Sequence, residues 1–264
     1  MTFYLDYRRR AHGEHASWAD SCWGGGDAQR PHNLNDLIIR SADGPDECLR
    51  DRPAAAQSGV VETVFHGLEA RLCAEIMKWP YVFGCMAWLT NVSILKALAT
   101  RRAVSLIVQK EDFLRPDNGG PDKQRLRSLY YALPTTDRWG LDVGYNTCGD
   151  STLPAVMCAG YRGETQRKAV PRMHHKFLVF CELGLVPDNW SGSQQFREAF
   201  IPRMVWTGSF NATENGEKSL ENAVLIKDDT IAAAYLREFQ AILGVAECLN
   251  WESQWVCPEY RIGT

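Results

Sequence analysis

Two short polar segments, each abutting an apolar run, hold residue types that chemistry needs. The first is Met173-His174-His175-Lys176, leading into Phe177-Leu178-Val179-Phe180. The second is Thr207-Gly208-Ser209-Phe210-Asn211-Ala212-Thr213, with Ser219-Leu220-Glu221-Asn222 downstream. Polar side chains at the end of a buried strand must be solvated, paired or used. On a strand, residues two apart project to the same face, so His174 and Lys176 enter one cleft. An ammonium beside a neutral imidazole suits attack on a phosphorus centre. The cation holds the anionic oxygens, and the imidazole serves as nucleophile or acid. Ser209 and Asn211 repeat the two-residue spacing and can donate hydrogen bonds to phosphate oxygens. Gly208 permits close backbone approach. Glu221 is a carboxylate able to orient an imidazole. Taken singly, an HxK is two solvated residues at a strand end, and Gly-Ser-Phe-Asn is a turn.

The elements that carry these segments follow from periodicity. Val60, Val61, Thr63 and Val64 form a β-branched run suited to a strand. Phe65, Leu68, Leu72 and Ile76 recur at helical spacing, and Trp79-Pro80 ends that helix. Residues 81–89 are continuously apolar, as in a strand buried on both faces. Thr90 or Asn91 caps a helix carrying Val92, Ile94, Leu95 and Leu98. Strands follow at 104–108, 177–180, 204–206 and 223–226. Asp228, Asp229 and Thr230 supply caps for a last helix bearing Ile231, Tyr235, Phe239 and Ile242. The pattern predicts a mixed α/β fold with helices on both faces of a central sheet. Residues 110–170 are irregular, apart from a short helix around Arg125 to Tyr130. Such a stretch is either a functional loop or a decorative insertion. Residues 1–58, broken by Gly24-Gly25-Gly26, Arg30-Pro31, Gly44-Pro45 and Arg52-Pro53, read as an irregular N-terminal extension. Residues 59–264 are then the main domain.

Composition narrows the class. The chain has 264 residues, 45% of them hydrophobic and 11% aromatic, enough apolar material for a real core and too much for extended disorder. A net charge of −3 gives no global basic signature, which still allows a local basic groove. The nine cysteines are an odd number, and none of them has CxxC spacing, so a compact zinc site has no support. No apolar run reaches ~20 residues, so stable membrane insertion is not expected. The N-terminus, with Arg8, Arg9 and Arg10 and no apolar run behind them, does not read as a signal peptide. A reducing cytoplasm is the simplest expectation.

In this order and spacing, the two segments resemble the phospholipase D superfamily. Its motif is HxK with Asp five residues beyond the lysine, then G-S-x-N, then a downstream Glu-Asn. His174, Lys176, Gly208, Ser209, Asn211, Glu221 and Asn222 match it, and the resemblance spans roughly residues 60–243. It implies a phospholipase D-like α/β fold. One position departs: Cys181 stands where the family has Asp, with Glu182 next. The tyrosyl-DNA phosphodiesterase branch also lacks that aspartate, which is usually assigned a supporting role. Cys181 does not read as a substitute nucleophile, because it lies ~17 Å of extended chain beyond Lys176. His175, where the family usually has Asn, points to the opposite strand face and reads as a packing residue.

The family reaction uses two histidines, one attacking and one protonating the leaving oxygen. This chain has one HxK, and His12, His15, His32 and His66 lie outside such a setting. The resemblance therefore implies a homodimer whose two His174 side chains meet over the substrate. It implies a phosphohistidine intermediate, with no metal or other cofactor required. Substrates in the superfamily include nucleic acids and phospholipids. Basic clusters at Arg101-Arg102, Lys110, Lys123-Arg125-Arg127 and Arg162-Arg167-Lys168-Arg172 suit a polyanion. Lys168 and Arg172, with Gly208, are the substrate-binding candidates. Trp139, Tyr145, Tyr161 and Trp190 can stack on bases if exposed, whereas Trp206 reads as core. The expected activity is metal-independent endonucleolytic cleavage of DNA or RNA. Two alternatives stay open. One is a cardiolipin-type phospholipid hydrolase, for which residues 183–200, with Leu185, Val186 and Trp190, are the best membrane-docking segment. The other, raised by Cys181, is a catalytically weakened member that binds nucleic acid or protein.

Overall fold

A computed structural model of the protein describes residues 33–39, 45–111, 114, 120–137, 141, 152–160, 171–187 and 195–250. A small ladder pairs β1 (Ile38–Ile39) with β2 (Glu47–Cys48). The main sheet is built from β3 (Ala55–Ser58), β4 (Val61–Val64), β5 (Tyr81–Met86), β6 (Ala103–Gln109), β9 (Val156–Ala159), β10 (Lys176–Pro187), β11 (Phe196–Gly208) and β12 (Ala223–Ile226). Its strand order is β3-β4-β12-β11-β10-β5-β6-β9. β5, β6 and β9 run parallel, and all other pairings are antiparallel. β7 (Thr136–Asp137) and β8 (Thr152–Leu153) make a further short ladder.

Helices cover both faces, as the periodicity predicts. α1 (Leu68–Ile76), α2 (Val92–Ala99) and α3 (Pro121–Tyr131) pack on one face. α5 (Asp229–Leu243) packs on the other, and α4 (Glu214–Lys218) is a short turn before β12. β10 shows how one strand serves both layers. Leu178 and Phe180 point into the α1–α2 core, while Phe177, Val179 and Cys181 point into the α5 core. Burying each large side chain of this kind is worth about 1.5–3 kcal/mol. Every residue of β5 and β6 is buried, Ser105 and Gln109 included, which explains why both strands are mostly apolar. The expected caps are in place: the Asn91 carboxamide oxygen accepts from Ile94 N–H at 3.0 Å, and an Asp228 carboxylate oxygen accepts from Ile231 N–H at 2.9 Å.

Several features lay beyond the sequence patterns. The stretch read as an irregular extension contributes β3, which pairs with β4 at the sheet margin. Residues 183–187 and 196–200 continue the β10–β11 ladder, and Leu183, Leu185 and Phe196 are exposed along it. Within the irregular 110–170 region, β9 adds a strand beside β6. The Lys110 ammonium is fully buried against the Glu247 carboxylate, so Lys110 is not part of a surface for polyanions. Glu247 also exchanges two backbone hydrogen bonds with Cys158, tying the segment after α5 to β9. Cys248 is disulfide-bonded to a cysteine outside the described residues, whereas Cys48, Cys73, Cys85, Cys158 and Cys181 are free thiols. No helix among the described residues is long and apolar enough to cross a membrane.

Candidate active site

Strand direction gathers the polar segments. β4, β5, β6, β9 and β11 finish at the same end of the sheet where β10 and β12 begin. Along that end, in spatial order, stand His66, Glu221 with Asn222, Ser209, His174 with Lys176, Trp88, and the residues that follow β6.

His174 and Lys176 meet as expected, although only Lys176 lies within β10. Lys176 Nζ is 3.1 Å from His174 Nε2 and 3.0 Å from its carbonyl oxygen. An ammonium has only hydrogens to give, so the ring nitrogen facing it carries the lone pair. That assigns the ring lone pair to Nε2 and the ring proton to Nδ1. Partial burial, followed by the positive charges of Lys176, Arg172 and His175, holds the imidazole below the ordinary histidine range. Burial also lowers the Lys176 ammonium, and the Glu221 carboxylate opposes that shift. In the single chain, therefore, Glu221 acts electrostatically on Lys176.

The G-S-x-N segment is fixed by its own backbone. Gly208 sits at φ +154°, where an added Cβ would lie 2.3 Å from Asn222 O and 2.8 Å from Ala223 Cα. The backbone that approaches this glycine is thus the entry to β12. Ser209 N–H donates to Asn222 O at 3.1 Å and to its side-chain oxygen at 3.2 Å. Asn222 N–H donates to Ser209 Oγ at 3.0 Å, which leaves the hydroxyl hydrogen for a ligand. Asn211 is half-buried, and its Oδ1 is buried without a hydrogen-bond partner. Thr90 and Asn91 N–H groups, just past β5, donate to Ala212 O at 2.8 and 2.9 Å and pin this segment beside α2.

Three residues that sequence reasoning missed hold His174 in place. Trp88 stands edge-on to the imidazole, and its ring centroid is 5.8 Å from Lys176 Nζ. Glu111 accepts from Trp88 Nε1 at 3.3 Å and pairs with Arg172 at 3.0 Å. Gln109, buried at the end of β6, accepts from Met173 N–H at 2.7 Å and donates to Lys110 O at 3.0 Å. The available signal was positional only: Trp88, Gln109 and Glu111 all end or follow apolar strands.

The remaining expected residues are scattered. Arg172 is exposed beside the site, but it is engaged by Glu111. Lys168, Arg162, Arg167, Trp139, Tyr145, Tyr161, Trp190, His12, His15 and His32 lie outside the described residues. Arg101 binds Met77 O and Trp79 O at the opposite end of the sheet, and Arg127 is buried. Trp206 is core. His175 turns to the α5 face, 3.6 Å from Glu238 and edge-on to Phe177. Cys181 is fully buried opposite Tyr81, at the far end of β5 from the site, and burial pushes its thiol pKa up.

A mixed sheet covered on both faces, with HxK and G-S-x-N elements converging at one end, defines a phospholipase D-like phosphodiesterase domain. The chain belongs to that superfamily: residues 81–243 match the family described as "Cardiolipin synthase, PLD-like domain". An uncharacterized protein of Acanthamoeba polyphaga mimivirus is 31% identical over 211 residues, which cover 73% of this chain and 68% of that protein. Among solved structures, NucT from Helicobacter pylori superposes with a TM-score of 0.45 at 13% identity, over 71% of this chain and 98% of its own. Nuc from Salmonella typhimurium, a phospholipase D family member, gives 0.41 at 15% identity, over 71% and 97%.

Proposed function

We propose that the protein is an endonuclease that cleaves DNA or RNA through a phosphohistidine, at a site shared by two copies of the chain. The observation that supports this reading is the His174–Lys176 contact, in which the Nε2 lone pair accepts from an ammonium able to bind an anionic phosphate. An arriving phosphodiester draws the ammonium onto its non-bridging oxygens and frees Nε2. Nε2 then attacks phosphorus, and the bond to the leaving oxygen breaks. The His174 imidazole of the second copy protonates that oxygen. The same imidazole, now neutral, takes a proton from water. The resulting hydroxide displaces His174 from phosphorus and releases the phosphomonoester. Ser209 offers its hydroxyl hydrogen, and Asn211 its side-chain N–H, to the charge that builds on phosphate.

A nucleic acid fits better than a phospholipid. The exposed apolar residues Leu185, opposite Glu198, and Phe196, opposite Pro187, lie near the outer end of β10 and β11. Leu185 lies nine residues along β10 from Lys176, or ~30 Å. Docking that tip on a bilayer would hold the site away from the lipid headgroups.

The test is to incubate the protein with single- and double-stranded DNA and RNA, and with cardiolipin vesicles, in excess chelator. Nuclease activity that survives chelator and vanishes in His174→Ala is expected. Headgroup release from vesicles, or nucleic-acid binding without turnover, would overturn the reading. Light scattering at micromolar concentration should report a dimer.

A further inference from the structure

A cavity of about 270 Å³ opens beside the phosphate position, on the side away from Trp88. Its walls are Ser209, Glu221 and Asn222 from the motif, the neighbouring Leu220, Phe65 and His66 from the exit of β4, and Asn35 from the N-terminal region. Ser209 belongs both to the cavity wall and to the G-S-x-N segment. Two strands, β12 and β11, separate β4 from β10. At the usual interstrand spacing, the backbone at His66 is therefore ~14 Å from that at His174. That places a group flanking the scissile phosphate in the cavity, with the phosphate itself at Ser209.

The chemistry of the walls is specific. Phe65 is 45% exposed, so an aromatic face at the cavity has no protein cover among the described residues. His66 is held by Asn35: its Nδ1 is 3.2 Å from Asn35 Oδ1. The Asn35 amide nitrogen is committed elsewhere, donating to Asn33 Oδ1 at 2.9 Å, Glu217 O at 3.2 Å and Ser219 O at 3.3 Å. Its oxygen must therefore be the atom facing His66, so His66 Nδ1 donates and Nε2 keeps a lone pair. A stacking face beside a tautomer-fixed acceptor matches a nucleoside, which offers a π-surface and N–H or O–H donors.

We infer that the Phe65–His66–Asn35 cavity is a nucleoside subsite for the residue next to the cleaved phosphate. Phe65 stacks on the base, and His66 Nε2 accepts one hydrogen bond from the base edge or the ribose 2′-hydroxyl. The inference rests on the nuclease reading for its substrate, and it also gives the N-terminal region a role, since Asn35 sets the His66 tautomer.

Binding and turnover test it separately. On the His174→Ala protein, affinity for a short single-stranded oligonucleotide should fall about tenfold when either His66→Ala or Phe65→Ala is added. In otherwise native protein, either substitution should lower kcat/KM for the oligonucleotide about tenfold relative to bis(4-nitrophenyl) phosphate, a phosphodiester with no nucleoside. Ribo-, deoxyribo- and abasic oligonucleotides distinguish the 2′-hydroxyl from the base edge as the donor. Unchanged affinity in both variants, or equal loss on both substrates, overturns the subsite. If bis(4-nitrophenyl) phosphate is hydrolysed and no nucleic acid is either bound or cut, the nuclease reading and the subsite fall together. Should His66→Ala not fold, the exposed Phe65→Ala carries the same comparison.

Discussion

The indole of Trp88 stands edge-on to the imidazole of His174, with 5.3 Å between ring centroids and 79° between ring planes. Trp88 follows β5 and His174 precedes the adjacent antiparallel β10, and Ala87 N–H donating to His175 O at 3.0 Å extends that pairing past the end of β10. Trp88 therefore forms one wall beside His174, the proposed nucleophile, and Glu111 anchors it through the indole nitrogen. Trp88→Ala should lower kcat about tenfold while the melting temperature shifts only slightly. Trp88→Phe, which keeps a ring edge but loses the Glu111 bond, should fall between it and native. Steady-state kinetics on one oligonucleotide checks both.

The pH dependence follows from the direction of the His174 shift. Attack needs the neutral imidazole, and burial with three positive neighbours favours that form. The acid limb of kcat/KM should therefore lie below the ordinary histidine value of about 6.5. Arg172→Gln removes one of those charges and should move the limb upward. The His174 ring resonances, followed by NMR titration, should move in the same direction. Whatever stability this neutral imidazole contributes is present above its unfolded pKa and is lost as pH falls through the folded one. A limb above 6.5 would contradict the assignment.

Cys181, which the sequence reading sets at the motif's aspartate position, is buried in the α5-side core at the other end of β5 from His174. Its substitution is a matter of packing. Cys181→Ala should cost about 1–2 kcal/mol in unfolding free energy and leave cleavage intact. Restoring the family residue with Cys181→Asp should cost about 3 kcal/mol, because a carboxylate would be buried among apolar side chains without a partner. The native thiol should resist alkylation until the protein is unfolded. Denaturant melts and thiol titration check these outcomes.

Gln109 clamps the entry to His174 through Met173, and Gly160 leaves the room it needs. Gly160 sits at φ +96°, and an added Cβ would lie 2.4 Å from Gln109 Oε1 and 2.7 Å from Met173 N. Gly160→Ala should therefore displace the clamp as well as strain the backbone, lowering stability by about 1–3 kcal/mol and kcat by about tenfold or more. Gln109→Leu leaves a buried N–H without its acceptor, with a similar stability cost of about 1–3 kcal/mol. Measuring kcat well below the melting transition separates positioning from unfolding.

Much of the architecture was legible because its signals are local. The mostly apolar runs of β5 and β6, the Asn91 and Asp228 caps, and the helical spacing of Leu68, Leu72 and Ile76 each depend on neighbours within a few residues. The HxK and G-S-x-N elements are local too, so their approach to a shared cleft could be expected before any strand order was known. β9 and the outer β10–β11 hairpin were not legible, because their pairing partners are remote in the chain and their own patterns are short or mixed.

By itself, the sequence determined the family, the layered fold and the pair of segments that carry the chemistry, since contiguous residues encode strand polarity and side-chain spacing. Only the tertiary structure decided what stands around them. Strand order and register brought Trp88, Gln109 and Glu111 against one side of His174 and placed Asn222, His66 and Asn35 toward the other. The same register turned Cys181 and Lys110 into the interior. These are consequences of which strand lies beside which, a long-range choice made by burying apolar faces on both sides of one sheet.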